Sequence, residues 1–115
     1  MITIDFDEYS RFYPADSQED FARLLPDAEL RMDVITANRW RAVGEADWRA
    51  GRVKRCLAEV LHVAIEADQS PAVAGATIVS NDKLTVHYAS TQQIEESTRS
   101  LAQKWLSQTG LISAL

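Results

Sequence analysis

Arg39, Trp40, Arg41, Trp48, Arg49 and Arg52 carry the most suggestive chemistry in this 115-residue chain. Arginines interleaved with tryptophans suit a single-strand-binding or partner-binding surface, because bases stack on indoles while guanidinia hold phosphates. Packing explains the same residues more simply. Tryptophan is usually at least partly core, and Glu45, Asp47 and Glu59 stand close enough in sequence to share the arginines' charge. The stretch is therefore a candidate DNA or partner patch whose tryptophans are expected to pack.

The remaining chemistry-bearing residues do not assemble into a recognisable site. There is no glycine-rich phosphate loop, no nucleophile elbow and no His-Glu-x-x-His pair. Two histidines, His62 and His87, with the single Cys56 fall short of a soft-metal ligand set. The acidic groups Asp5, Asp7, Glu8 and Asp27, Glu29, Asp33 lack the alternating spacing of a calcium loop. Cys56 and His62 read as a buried small hydrophobe and a surface residue. The expectation is a protein that is not an enzyme and uses no metal or cofactor, although carboxylates brought together in space would leave a hydrolase or transferase as the third reading.

Charge is unevenly spread. Residues 1–33 hold nine acidic and three basic side chains, residues 34–63 hold six basic and three acidic, and the net charge is −5. An acidic whole is poorly suited to clamping nucleic acid by neutralising phosphates. A chain acidic at one end and basic in the middle suits head-to-tail contact with its own copies. With 46% hydrophobic and 25% charged residues the composition is that of one globular domain. No apolar run reaches membrane-span length, and the opening Met-Ile-Thr-Ile-Asp-Phe-Asp-Glu lacks a signal-peptide pattern. The lone cysteine fits a reducing compartment.

The elements that must position these residues follow from periodicity. Residues 1–15 form an arm whose Phe6, Tyr9, Phe12 and Tyr13 fold onto the core. Residues 16–69 hold helices. Asp16-Ser17-Gln18-Glu19 reads as a capping box, Pro26 separates a short helix from a second one, and Asp47 caps a long helix over 48–68. In that helix Val53, Cys56, Leu57, Val60, Leu61 and Ala64 lie on one arc. Pro71 and Gly75 are expected to end it. Residues 75–90, Gly-Ala-Thr-Ile-Val-Ser-Asn-Asp-Lys-Leu-Thr-Val-His-Tyr-Ala-Ser, read as a β-hairpin turning at Asn81-Asp82, with Ile78, Val79, Leu84, Val86 and Tyr88 as an oligomer interface. A helix over 91–108 follows, started by Ser90-Thr91-Gln92-Gln93. Residues 109–115 form an apolar tail in which Leu111, Ile112 and Leu115 are candidate partner-docking residues. The fold class is mainly α: a small four-helix domain with one hairpin inserted before the last helix.

This layout, with the stretch 75–90 and the ending Trp-Leu-Ser-Gln-Thr-Gly-Leu-Ile, resembles the head–tail connector (adaptor) proteins of long-tailed bacteriophages and prophages. The resemblance spans most of the chain from about Ser17 onward. The turn without glycine and the Trp-rich basic loop depart from the family pattern. The resemblance implies a structural subunit that forms a ring, usually dodecameric, beneath the portal protein. Such a ring extends the DNA channel and meets a stopper or tail-completion protein. DNA would pass without sequence-specific binding and no membrane would be involved. The location implied is the head–tail junction of a virion assembled in the bacterial host cytoplasm. The alternative from the residues alone is a small helical regulator or adaptor that binds a protein partner through its Trp/Arg patch.

Overall fold

The longest helix organises the fold. The computed structural model describes the backbone of residues 2–77 and 83–112 and the side chains of residues 2–68 and 94–112. Within these limits the chain is helical: α1 (Phe6–Phe12), α2 (Gln18–Thr36), a 3-10 turn (Arg39–Ala42), α3 (Ala50–Thr77) and α4 (Lys83–Leu106). Helix α3 lies between α2 and α4 and packs against both. Its buried residues Val53, Cys56, Leu57, Val60, Leu61, Ala64 and Ile65 form the arc that the sequence periodicity marks out. Phe21, Ala28 and Met32 of α2 and Ala102 and Leu106 of α4 close over them. Thr98, on the buried side of α4, satisfies its hydroxyl on the Ile94 carbonyl at 2.7 Å.

Helix α2 runs unbroken through Pro26, where a helix boundary is expected. Proline removes one N–H, leaving the Ala22 carbonyl without its helical donor. Both residues are solvent-exposed, so water can satisfy that carbonyl, while burial of Phe21 and Ala28 on either side holds the helix together. The N-cap is Ser17, whose hydroxyl accepts from the Asp20 N–H at 3.1 Å, rather than Asp16. At its other end α2 closes in a Schellman motif, with Asn38 N–H on the Asp33 carbonyl at 2.9 Å. Ala37 and Asn38 there have φ of +51° and +64°.

The hairpin expected over 75–90 is overturned where the backbone is described. Residues 75–77 are the end of α3 and residues 83–90 the first turns of α4, and no strand occurs among the described residues. The turn at Asn81-Asp82 lies outside them, as do Ile78 and Val79. Leu84, Val86 and Tyr88 stand on helical backbone. The physical reason is that extending a nucleated helix costs far less than starting a new element, and Ala72, Ala74 and Ala76 are strong helix formers. β-Branched residues in a lone hairpin carry little independent preference. For the same reason α3 continues through Pro71 and Gly75, and Ser90 is not a helix start.

The N-terminal arm belongs to the core. Ile2, Ile4 and Tyr9 are buried, and Phe6 and Tyr9 pack against Phe21 with ring centroids 5.6 and 5.3 Å apart. Helix α1 opens on a capping box: Asp5 accepts from the Glu8 N–H at 2.8 Å and Glu8 reaches back to the Asp5 N–H at 3.4 Å.

Candidate functional site

The basic–aromatic stretch splits into two environments. Trp40 is fully buried, and its indole N–H donates to Asp33 Oδ1 at 2.7 Å. Arg41 grips the same carboxylate through Nε at 2.6 Å and Nη2 at 2.9 Å, with its guanidinium 4.9 Å from the centre of the Trp40 ring. These bonds hold the Asp33 carboxyl below its ordinary range, the arginine contribution being the largest. Trp40 is thus a core anchor, unable to stack on a base.

Trp48 is the reverse case. It is 71% exposed, on the turn before α3. The turn itself is rigidly tied. Asp47 accepts from the Arg49 backbone N–H at 2.8 Å and from the Arg49 guanidinium at 3.0 and 2.8 Å, which lowers its carboxyl to about 2. Asp47 therefore braces the turn into α3 but is not its N-cap, because the helix starts at Ala50, two residues later than expected, with Val53 N–H on the Arg49 carbonyl.

Three of the arginines reach the end of the chain. Arg52 donates to the Trp105 carbonyl at 3.4 Å, Arg49 to that of Thr109 at 3.1 Å and Arg39 to that of Gly110 at 3.4 Å. Cations placed on carbonyls at a helix C-terminus satisfy acceptors the helix leaves open and oppose its dipole. These guanidinia are engaged by the chain's own backbone, which weakens the patch as a phosphate-binding surface. They also explain the tail. Gly110, at φ +75°, turns the chain back, Thr109 Oγ1 accepts the Leu111 N–H at 3.2 Å, and Leu111 enters the core at 2% exposure. Ile112 packs against that core, and Leu115 lies outside the described residues. Leu111 is therefore taken up by the monomer and is not left free to dock a partner, while Ile112 stays partly exposed beside it. The anchors are arginines some 60 residues away, which local sequence does not reveal.

A second constellation was not legible as such. Asp16 Oδ2 accepts from Tyr9 OH at 2.5 Å and faces His62 Nδ1 at 2.7 Å, while His62 Nε2 faces Glu66 Oε1 at 3.1 Å. Tyr13 stacks flat on the His62 ring at 3.8 Å. Burial, then the bond to Asp16, raises the Tyr9 phenol above its ordinary value, and burial does the same to Tyr13. Next to this group Arg55 lies 4.3 Å from the Phe12 ring centre and 5.7 Å from that of Trp105, whose N–H donates to Glu59. Lys54 holds both Glu8 and Glu45 at 2.9 Å. The charged arc of α3 is thus the seat of the arm. The one signal in the sequence is the ring-rich arm, of which Phe12 and Tyr13 lie against Arg55 and His62 of this arc while Phe6 and Tyr9 pack on Phe21. Cys56 is buried on the opposite arc, its thiol 3.7 Å from Met32 Sδ and pushed up to about 12 by burial, consistent with a packing residue.

A groove of ≈ 420 Å³ runs between α2 and α4, with Leu30, Arg31, Val34 and Ile35 on one wall and Glu95 and Arg99 on the other. Leu30 is 59% and Val34 84% exposed. Arg31 Nε is buried with no hydrogen bond among the described residues.

No family model matches this chain, and no curated protein or solved structure matches it.

Proposed function

We propose that the chain is a structural connector subunit whose copies close into a ring beneath a portal protein, extend the DNA channel and present a surface to a stopper or tail-completion protein. The observation that carries this reading is the end of the chain. Trp-Leu-Ser-Gln-Thr-Gly-Leu-Ile, which resembles the family's ending, is a built element here, held by Arg39, Arg49 and Arg52 and closed by Leu111. Support from strands over 75–90 falls away, and the order of helices and this ending remain. Surface chemistry is in keeping with self-assembly, since α2 is acidic and carries exposed Leu30 and Val34, while the turn into the basic start of α3 carries exposed Trp48. The particle location and host-cytoplasm assembly belong to this reading, as does passage of DNA without sequence-specific contact. Among the described residues no helix is long and apolar enough to cross a membrane.

Exposed Trp48 also favours the regulator reading, in which one foreign protein takes up the indole. The two readings part in one experiment. Purified protein is added to portal-bearing, tail-less capsids and imaged by negative stain. The connector reading predicts a ring-shaped layer at a single vertex. Capsids left bare while the protein stays a monomer or dimer would overturn it.

A further inference from the structure

We infer that His62 is a pH-sensitive latch on the N-terminal arm: charged, it bridges Asp16 and Glu66, and neutral, it holds only one of them. The geometry sets the choice. Nδ1 lies 2.7 Å from Asp16 Oδ2 and Nε2 lies 3.1 Å from Glu66 Oε1, so both ring nitrogens face carboxylate oxygens. Ionised carboxylates only accept, and an imidazole donates from both nitrogens only as the imidazolium. Asp16 Oδ2 also accepts from the Tyr9 hydroxyl at 2.5 Å. Burial, then that bond, keeps the phenol protonated, so Asp16 is the acceptor on both sides. Loss of the ring proton therefore leaves a nitrogen lone pair against one carboxylate. Glu66 is the one that yields, because its side chain is 64% exposed and that of Asp16 is 11% exposed.

The latch joins the arm to the longest helix. Tyr9 lies in α1, Tyr13 is its C-cap, Asp16 follows in the turn, and His62 and Glu66 stand one turn apart on α3. Tyr13 lies flat on the imidazole with ring centres 3.8 Å apart, a stack that a charged ring strengthens. The opposing cation is Arg55, two turns earlier on α3, which is engaged by Glu59 at 3.5 Å and by the Phe12 ring. From the other elements, Glu8 of α1 is taken up by Lys54, Arg23 of α2 goes to Asp68 beyond Glu66, and the Trp105 N–H of α4 goes to Glu59. The groups in direct contact with the ring are thus two carboxylates and a phenol. Burial of Ile2, Ile4 and Tyr9 seats the arm in either charge state, so His62 grades how often the arm opens. Its contribution is complete while the ring is charged and is lost as pH rises through the histidine range, about 6.5 for a free side chain.

Hydrogen exchange on the full chain tests this. The Tyr9 and Tyr13 amides, bonded to the Asp5 and Tyr9 carbonyls, are followed at about pH 5.5 and about pH 7.5, on either side of the histidine range and above that of carboxylates. Protection factors, which remove the chemical pH dependence of exchange, are expected to be about fivefold higher at the lower pH, the difference between a charged and a neutral hydrogen bond. The Val60 and Leu61 amides in the middle of α3 serve as the reference and are expected to stay level. His62→Phe keeps a ring under Tyr13 and removes both bonds, so its arm protection should be the same at the two pH values. Glu66→Gln, at an exposed position that does not endanger folding, offers an amide that answers either charge state of Nε2. Its dependence should fall to roughly twofold. Equal arm protection at both pH values in the wild type overturns the latch, as does the full dependence persisting in His62→Phe or in Glu66→Gln.

Discussion

Asp33 and Asp47 each gather an arginine fork, and both carboxyls are held below the ordinary aspartate value of 3.8, Asp47 at about 2. A carboxylate depressed in the folded state contributes stability above its unfolded value, and that contribution is lost as pH falls through the folded one. Melting temperature is therefore expected to fall between about pH 4 and pH 2. Asp33→Asn, less stable at neutral pH because Arg41 loses its partner, should show a flatter decline over that window. Parallel declines would mean the Asp33–Arg41 pair carries no linkage. Ala37 tests a different local term. It closes α2 at φ +51°, where a Cβ is unfavourable and glycine is at ease. Ala37→Gly should raise stability by ~0.5–1 kcal/mol, the strain relieved outweighing the unfolded-state freedom that glycine adds. Thermal unfolding checks this, and an unchanged or lower midpoint would contradict it.

At the scale of elements the C-terminal segment is the sharpest case. Leu111 is buried beneath a turn whose carbonyls are held by Arg39 and Arg49. Leu111→Ala should cost about 2–4 kcal/mol, lowering the melting temperature by on the order of 10 °C. A shift under 2 °C would mean the tail packs without contributing. The same segment shows what sequence reveals and what it withholds. The buried arc of α3 follows from local periodicity and is present, whereas the cap expected at Asp47 is not: the helix opens on the Arg49 carbonyl, and Asp47 braces the turn before it through the Arg49 N–H. The tail's fixation depends on partners far away in sequence, which no local pattern encodes. Pro26, Pro71 and Gly75 misled for a related reason: a breaker's local cost is overridden once neighbouring turns bury their faces or propagate an existing helix. Of the patch, Trp40 was legible as packing. Trp48, four places after Gly44 and of identical type, ended in water, because only the three-dimensional path of the turn decides which indole the core receives.

At the scale of the molecule, one core is wrapped by helices that leave three large apolar side chains among the described residues, Leu30, Val34 and Trp48, more than half exposed. Exposure of this kind on a small domain marks interaction surfaces. Under the connector reading proposed above, the partner is another copy. Closure into a ring is the central claim, and mass measured on intact assemblies tests it most directly. Native mass spectrometry of concentrated protein at low salt should show one dominant species at a fixed integer multiple of 12.9 kDa, with the intermediate multiples sparse. A monomer at all concentrations, or a ladder of multiples without a favoured closed state, would contradict the account.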